Sequence, residues 1–225
     1  MDLSLLQQKI SSGLTKAASI AGVPVVRKRP QEAFVPLGTG DSIALKSLFD
    51  MSASFPGTSP DTWGHVSLFA SVNSDILVGD YLQVIPDSDL PTLLADTYFV
   101  ARTEPARPSL VIMTNAVISF LQSDSSLDDG DFGLRVPQVP VRKDDISVAT
   151  GWPASMLRSG GGGKSTTDLG TDVRVAGWEI LMPVIPGVRI HEGLRMQDEH
   201  NNFFHVCSVE QTPFGLRIEV TADQT

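Results

Sequence analysis

The most constraining feature of this sequence is a series of short runs in which apolar and polar residues alternate. Leu216-Arg217-Ile218-Glu219-Val220-Thr221 is the cleanest of them. Successive side chains of an extended chain point to opposite faces, so this run predicts a strand with one dry face and one wet face. Further runs rich in β-branched and aromatic residues span Val66–Val72, Asp80–Ile85, Thr97–Thr103, Val173–Met182, Gly193–Met196 and Phe203–Val209. Leu110, Ile112, Ala116, Ile118 and Phe120 fall on one face of a strand expected to run from 110 to 121. Ile43–Met51 predicts a strand or a short helix. Gly79 and Asp198–Asn202 supply turns between these runs.

Before the strands, the period changes. Leu3, Leu6, Ile10, Leu14 and Ala17 recur at three- and four-residue steps, which predicts one helix over 2–21. Asp2 or Ser4 would cap it, and Gly22 followed by Pro24 would end it. An isolated helix of this length is marginal in water. It therefore packs on its own subunit or serves as an arm docked on a neighbour. An extended segment bounded by Pro24 and Pro30 follows, carrying the basic run Arg27-Lys28-Arg29. Arg27 and Arg29 read either as a solvated strand end or as contacts for a phosphate or acidic partner.

Composition narrows the partners. With 26 acidic and 17 basic residues, the chain has a net charge of −9. Such a chain offers little to neutralise phosphate, which argues against general binding to nucleic acid or an anionic membrane. The N-terminus lacks a basic region followed by an apolar core, and no apolar stretch approaches the roughly 18–20 residues that span a bilayer. The single Cys207 excludes an internal disulfide framework and a multi-cysteine zinc site.

The expected fold is mainly β, an N-terminal helix followed by two small antiparallel β barrel or sandwich modules. Residues 1–30 form the helix and extended arm, 31–122 the first module, 123–172 a flexible connector, and 173–225 the second module. The modules share landmarks in one order: Trp63, Gly79, Tyr98-Phe99 and Glu104 in the first, and Trp178, Gly193, Phe203-Phe204 and Glu210 in the second. Either one unit occurs twice, or two barrels of one kind look alike.

Several motifs invite a chemical reading and fail it. Gly160-Gly161-Gly162-Gly163-Lys164-Ser165 ends like a phosphate-binding loop. Arg158 stands where that loop needs its first glycine, and neither a buried strand before it nor a helix after it is expected. The glycines read as a hinge. The acidic loop with Asp124, Asp128, Asp129 and Asp131 has Asp129 where a calcium hand needs glycine and Arg135 where it needs glutamate. His191-Glu192 begins like a zinc-protease helix, but Arg195 replaces its second histidine. His200, His205 and Cys207 read as one packed histidine, one exposed histidine and a buried thiol. No catalytic constellation emerges, and no cofactor or metal is expected. Trp63 and Trp178 are expected to fill the two cores, and Trp152 to be an exposed contact aromatic.

The segments Gly79–Val84, Thr97–Pro105, Leu110–Asn115, Gly177–Pro183 with Gly187-Val188, and the hairpin from Phe204 to Val220 resemble tailed-bacteriophage virion proteins encoded near the portal. The likeness to neck and tail-connector proteins covers about half of the chain. It implies a non-enzymatic building block of the virion, joining capsid to tail or forming a collar. It further implies contacts with copies of itself and with portal, adaptor, tail or fibre proteins. Its contacts would use Leu3, Leu6, Ile10, Leu14, Arg27, Arg29, Trp152, Gly160 and Gly163, with unsatisfied sheet edges paired between subunits. A stand-alone carbohydrate- or ligand-binding β module is the alternative, and it would use Trp152 as its stacking platform.

Overall fold

The computed structural model describes residues 3–38, 41–50, 65–70, 75–85, 96–104, 107–122, 145–158 and 177–223. It opens with the expected helix, α1 (Leu3–Ala21). The Gly22 N–H donates to the Ala18 carbonyl at 2.9 Å, closing the last turn. A Cβ on Gly22 would lie 2.2 Å from the Ala18 oxygen and 3.0 Å from the Ser47 oxygen, so only glycine fits.

Twelve strands follow among the described residues, and they close into two barrels. The first contains β1 (Val23–Arg29), β2 (Asp41–Asp50), β3 (His65–Ala70), β4 (Tyr81–Val84), β5 (Thr97–Arg102) and β6 (Ser109–Met113). The second contains β7 (Ala116–Gln122), β8 (Ile146–Arg158), β9 (Gly177–Met182), β10 (Arg195–Asp198), β11 (Phe203–Thr212) and β12 (Gly215–Ala222). The ring order is β1-β2-β3-β6-β5-β4 in one and β7-β8-β9-β12-β11-β10 in the other, with every pair antiparallel. The last run behaves as its alternation predicts: Leu216, Ile218 and Val220 are buried, and Glu219 is exposed. Full closure removes the edges expected to pair between subunits.

The two barrels repeat one plan. Their strand orders are identical when β1–β6 are laid on β7–β12. Gly79 and Gly193 each sit two residues before the fourth strand, with φ of 93° and 88°. The Gly79 N–H donates to the Val100 oxygen, and the Val100 N–H returns to the Asp80 oxygen. Gly193, Val206 and Leu194 make the same exchange. The fifth strand of each barrel then bulges, between Val100 and Arg102 and between Val206 and Ser208. Three sequence landmarks therefore correspond: Gly79 with Gly193, Tyr98 with Phe204, and Glu104 with Glu210. The tryptophans do not. Val66 opposes Val111 and Trp178 opposes Val220, so Val66 takes the place of Trp178. Trp63 lies outside the described residues.

The boundaries differ from the expected ones. The segment 23–29, read as an arm, is a barrel strand, and the run 110–121 is split between barrels. Two polar residues make the split. Thr114 donates from its N–H and its hydroxyl to the Thr97 oxygen, both at 2.8 Å, which ties it to the first barrel. The Asn115 N–H donates to Ala154, and its side chain exchanges two hydrogen bonds with the backbone of Met156 in the second barrel. Hydrophobic alternation continues straight through this hand-over, so the pattern alone hides it. β8 lies where a connector was expected, because the run from Trp152 to Leu157 contains Pro153 and does not alternate. Gly151 takes φ 78° at a register shift against β7, and its N–H donates to the Ser119 hydroxyl at 3.2 Å. Pro153 faces only β7, since pairing with β9 begins at Ser155, so its missing N–H disrupts no ladder on that side.

The basic run is internal as well. Arg27 and Asp80 are each 1% exposed. Arg27 donates from Nη2 to Asp41 at 2.8 Å, and its Nη1 lies 3.6 Å from Asp80. Asp80 also receives Arg29 through Nε at 2.8 Å and Nη2 at 3.0 Å, and the Leu77 N–H at 2.8 Å. Arg27 and Arg29 are thus structural ions rather than a solvated end or an open phosphate site. The second barrel solves the same position differently. Arg27 opposes Leu82 as Phe120 opposes Met196, and Asp80 corresponds to the buried Leu194. Removing one partner of a buried pair costs about 3–5 kcal/mol, whereas exchanging the pair for apolar residues is often neutral. Asp80→Ala is therefore expected to destabilise by about 3–5 kcal/mol in urea titrations. The double variant Arg27→Phe/Asp80→Leu, which copies the second barrel, is expected to lose less than the two single changes added together.

Candidate interaction surface

α1 packs on β2 and β3 through its C-terminal half. Ala18 is fully buried and Leu14 half-buried. Leu6 and Ile10, both assigned to the stripe, remain about 40% exposed, and Leu5 beside them is 56% exposed. Leu3 lies in the first turn of the helix. The helix is therefore covered at Leu14 and Ala18, while Leu6, Ile10 and Ala17 of the stripe are exposed. The helix carries Lys9 and Lys16 and no carboxylate.

The seam between the barrels is built from aromatics. Trp152 is fully buried, and its indole Nε1 donates to the Ala33 oxygen at 2.7 Å. This corrects the expectation of an exposed contact residue and removes the stacking platform of the carbohydrate-binding alternative. The Tyr81 hydroxyl, from β4, donates to the Pro153 oxygen of β8 at 2.7 Å. The Tyr81 ring lies 6.2 Å from Trp152 and 6.5 Å from Phe99. One apolar cluster runs through the seam, from Phe99 and Ile112 in the first barrel to Ile118, Phe120 and Ile180 in the second. The barrels are thereby held as a pair.

That seam also positions a loop that the sequence reading passed over. The Ala33 oxygen accepts a second hydrogen bond, from the Thr150 N–H at 3.2 Å, and Phe34 bridges Thr150 in parallel. The Gly38 N–H donates to the Val35 oxygen at 2.9 Å, closing a turn. Pinned at both ends, the loop presents Phe34 at 48% and Val35 at 72% exposure. Val35 adopts φ 56°, a left-handed conformation that is strained for a β-branched residue. The segment 31–60 shows no period, and periodicity is what the sequence reading followed. The available signal was local: a Phe-Val pair between Ala33 and Pro36 in a span otherwise marked by Gly and Pro.

The remaining candidates divide. His200, His205 and Cys207 are all exposed, so the packed histidine and buried thiol are corrected. The Cys207 sulfur lies 3.4 Å from the Thr221 hydroxyl. No cluster of three metal-ligating side chains occurs among the described residues. Gly160, Gly163, Lys164 and the acidic loop at 124–131 lie outside the described residues. Among the described residues no helix is long and apolar enough to cross a membrane. No protein-family model matches the sequence, and no curated protein or solved structure matches it significantly.

Two measurements probe this surface. Asn tolerates the left-handed region where Val is strained, so Val35→Asn is expected to raise stability by about 1 kcal/mol in urea titrations. Burial pushes the Tyr81 phenol well above its usual range. Above about pH 10 the unfolded chain loses this proton while the folded chain keeps it, so stability falls as pH rises. Tyr81→Phe leaves the Pro153 oxygen unpaired and is expected to cost about 1–3 kcal/mol near neutral pH. The same variant should show a shallower alkaline loss. Tyr98 adds to that loss, its phenol being raised by burial first and by Asp96 second.

Proposed function

We propose that the chain is a structural component of a tailed-bacteriophage virion, joining capsid or portal to tail or forming a collar at the neck. It acts by packing and performs no catalysis. Its partners are copies of itself and neighbouring portal, adaptor, tail or fibre proteins, and it resides in the virion. The observation that carries this reading is the pair of closed barrels locked at an aromatic seam, with an apolar helix face left uncovered. A building block needs a body that keeps its shape and an ordered element to give to a neighbour. The net charge of −9 suits a protein near passing DNA, because an acidic surface supplies no phosphate neutralisation. The contact residues move accordingly. Leu6 and Ile10 stay candidates, the Phe34–Val35 loop joins them, and Trp152, Arg27 and Arg29 leave the set.

Mass spectrometry of purified virions from a host carrying the gene tests this reading. The chain is expected among the particle proteins, at a copy number consistent with a ring. Its consistent absence from particles, with abundant soluble chain in the same lysate, contradicts the proposal.

A further inference from the structure

We infer that copies of this chain exchange their N-terminal segment, with α1 and β1 of one copy taking the place of α1 and β1 on the first barrel of another. This names how copies join within the assembly reading above, and its use in a virion rests on that reading. The exchanged piece is terminal, so one hinge releases it. The connection from β1 to β2 supplies that hinge, and it is strained. Arg29 and Asp41 are direct partners on the two strands, so the chain reverses between them. Ala33 is held by Trp152 and Thr150, which leaves the reversal to the turn Val35–Gly38. The Gly38 N–H on the Val35 oxygen closes this turn at 2.9 Å, and the Lys28 ammonium reaches the Gly38 oxygen at 3.4 Å. Val35 is β-branched, holds φ 56° and precedes Pro36, whereas a residue before proline is driven to extended backbone.

Opening the turn relaxes Val35 and frees residues 3–34 as one piece. That piece packs α1 on β2 and β3 and pairs β1 with β2 and β4. Each of these contacts is remade on a second copy, so both barrels stay closed with the same strand pairs. Only the turn and its Lys28 bond are given up. A hinge loop under strain favours such an exchange, because the swapped form keeps the contacts and sheds the strain. The place of β1 also selects its occupant. Arg27 and Arg29 meet Asp41, Asp75 and Asp80, and Asp80 is 1% exposed. A buried carboxylate left without its cation is strongly disfavoured. No other two arginines in the sequence stand two residues apart, so β1 of another copy is the strand that brings these charges at this spacing.

A disulfide across β1 and β2 reads the exchange directly. Pro24 passes its oxygen to the Ile85 N–H on the β4 side, so Val26, two residues on, forms a non-hydrogen-bonded pair with Ala44. Such pairs lie close enough for a disulfide, and both side chains point out of the barrel. The full chain carries Val26→Cys and Ala44→Cys, with Cys207→Ser to remove its exposed thiol. It is purified reduced, concentrated and separated by size. Each fraction is then oxidised at high dilution and run denatured without reductant. The dimer fraction is expected to yield covalent dimers, and the monomer fraction chains closed on themselves. A dimer fraction that yields only self-closed chains overturns the inference, as does a chain that forms no dimer at any concentration. The wild type gives a second reading that needs no cysteine. Its dimer is expected to outlast dilution by hours, because β1 must leave two barrels before the copies part. A dimer that dissociates within seconds contradicts the exchange. Val35→Asn relieves the strain in the closed form and is expected to lower the dimerisation constant at least about tenfold. An unchanged constant contradicts the role given to the turn. The virion proposal is judged separately. A chain found in particles that never exchanges loses only the exchange, and one that exchanges but is absent from particles loses only the virion assignment.

Discussion

Ring closure of the backbone hydrogen bonds is the constraint on which the rest of this structure depends. β1 pairs with both β2 and β4, and β7 with both β8 and β10, so each sheet returns to its first strand. A six-stranded antiparallel sheet left open would offer two rows of unpaired N–H and C=O groups to any passing strand. Closure withdraws that offer and turns each module inward. The chain's dealings with other molecules then fall to its side chains, above all to those the barrels do not bury.

Closure also explains why the barrels are joined as they are. With no edge to share, they meet through a cluster of rings and through single polar bonds aimed at backbone carbonyls, Tyr81 to Pro153 and Trp152 to Ala33. Buried Tyr and Trp need a partner for one polar atom, and here each finds it across the seam. The same carbonyl of Ala33 anchors the exposed loop, so the bonds that join the barrels also hold the Phe34–Val35 tip in place.

Much of the fold was legible in the sequence because period-two runs and glycine turns are local signals. The run 216–221, the turn at Asp198–Asn202 and the paired glycines 79 and 193 needed nothing beyond their neighbours. What was illegible depends on contacts far along the chain. The hand-over at Thr114-Asn115 looks like uninterrupted strand, because the alternation on either side stays in phase while the partners change from β5 to β8. Trp152 sits beside a proline, which reads as loop, while the structure places it in β8 next to a register shift against β7. Arg27 and Asp80 are 53 positions apart, so their burial as a pair is invisible until β1 and β4 are neighbours. Of the candidate contacts, the helix stripe was readable from its spacing. The loop was not, since its exposure comes from a backbone conformation that a Val-Pro sequence does not advertise.

Comparing the two barrels shows how little of a β barrel's chemistry its topology dictates. One plan accommodates an ion pair at Arg27 and Asp80 and an apolar pair at Phe120 and Leu194. Strand order, bulge and turn glycine are common to both, while the side chains inside differ in kind. On the proposed assembly reading, association engages the helix and the 33–38 loop and leaves the sheets as they are. Hydrogen–deuterium exchange of the full chain, read at dilute and at concentrated protein, addresses it most directly. The account predicts that protection gained on concentration is confined to α1 and the loop, with strand amides equally slow in both samples. New protection centred on strand amides, with α1 and the loop unchanged, would contradict it.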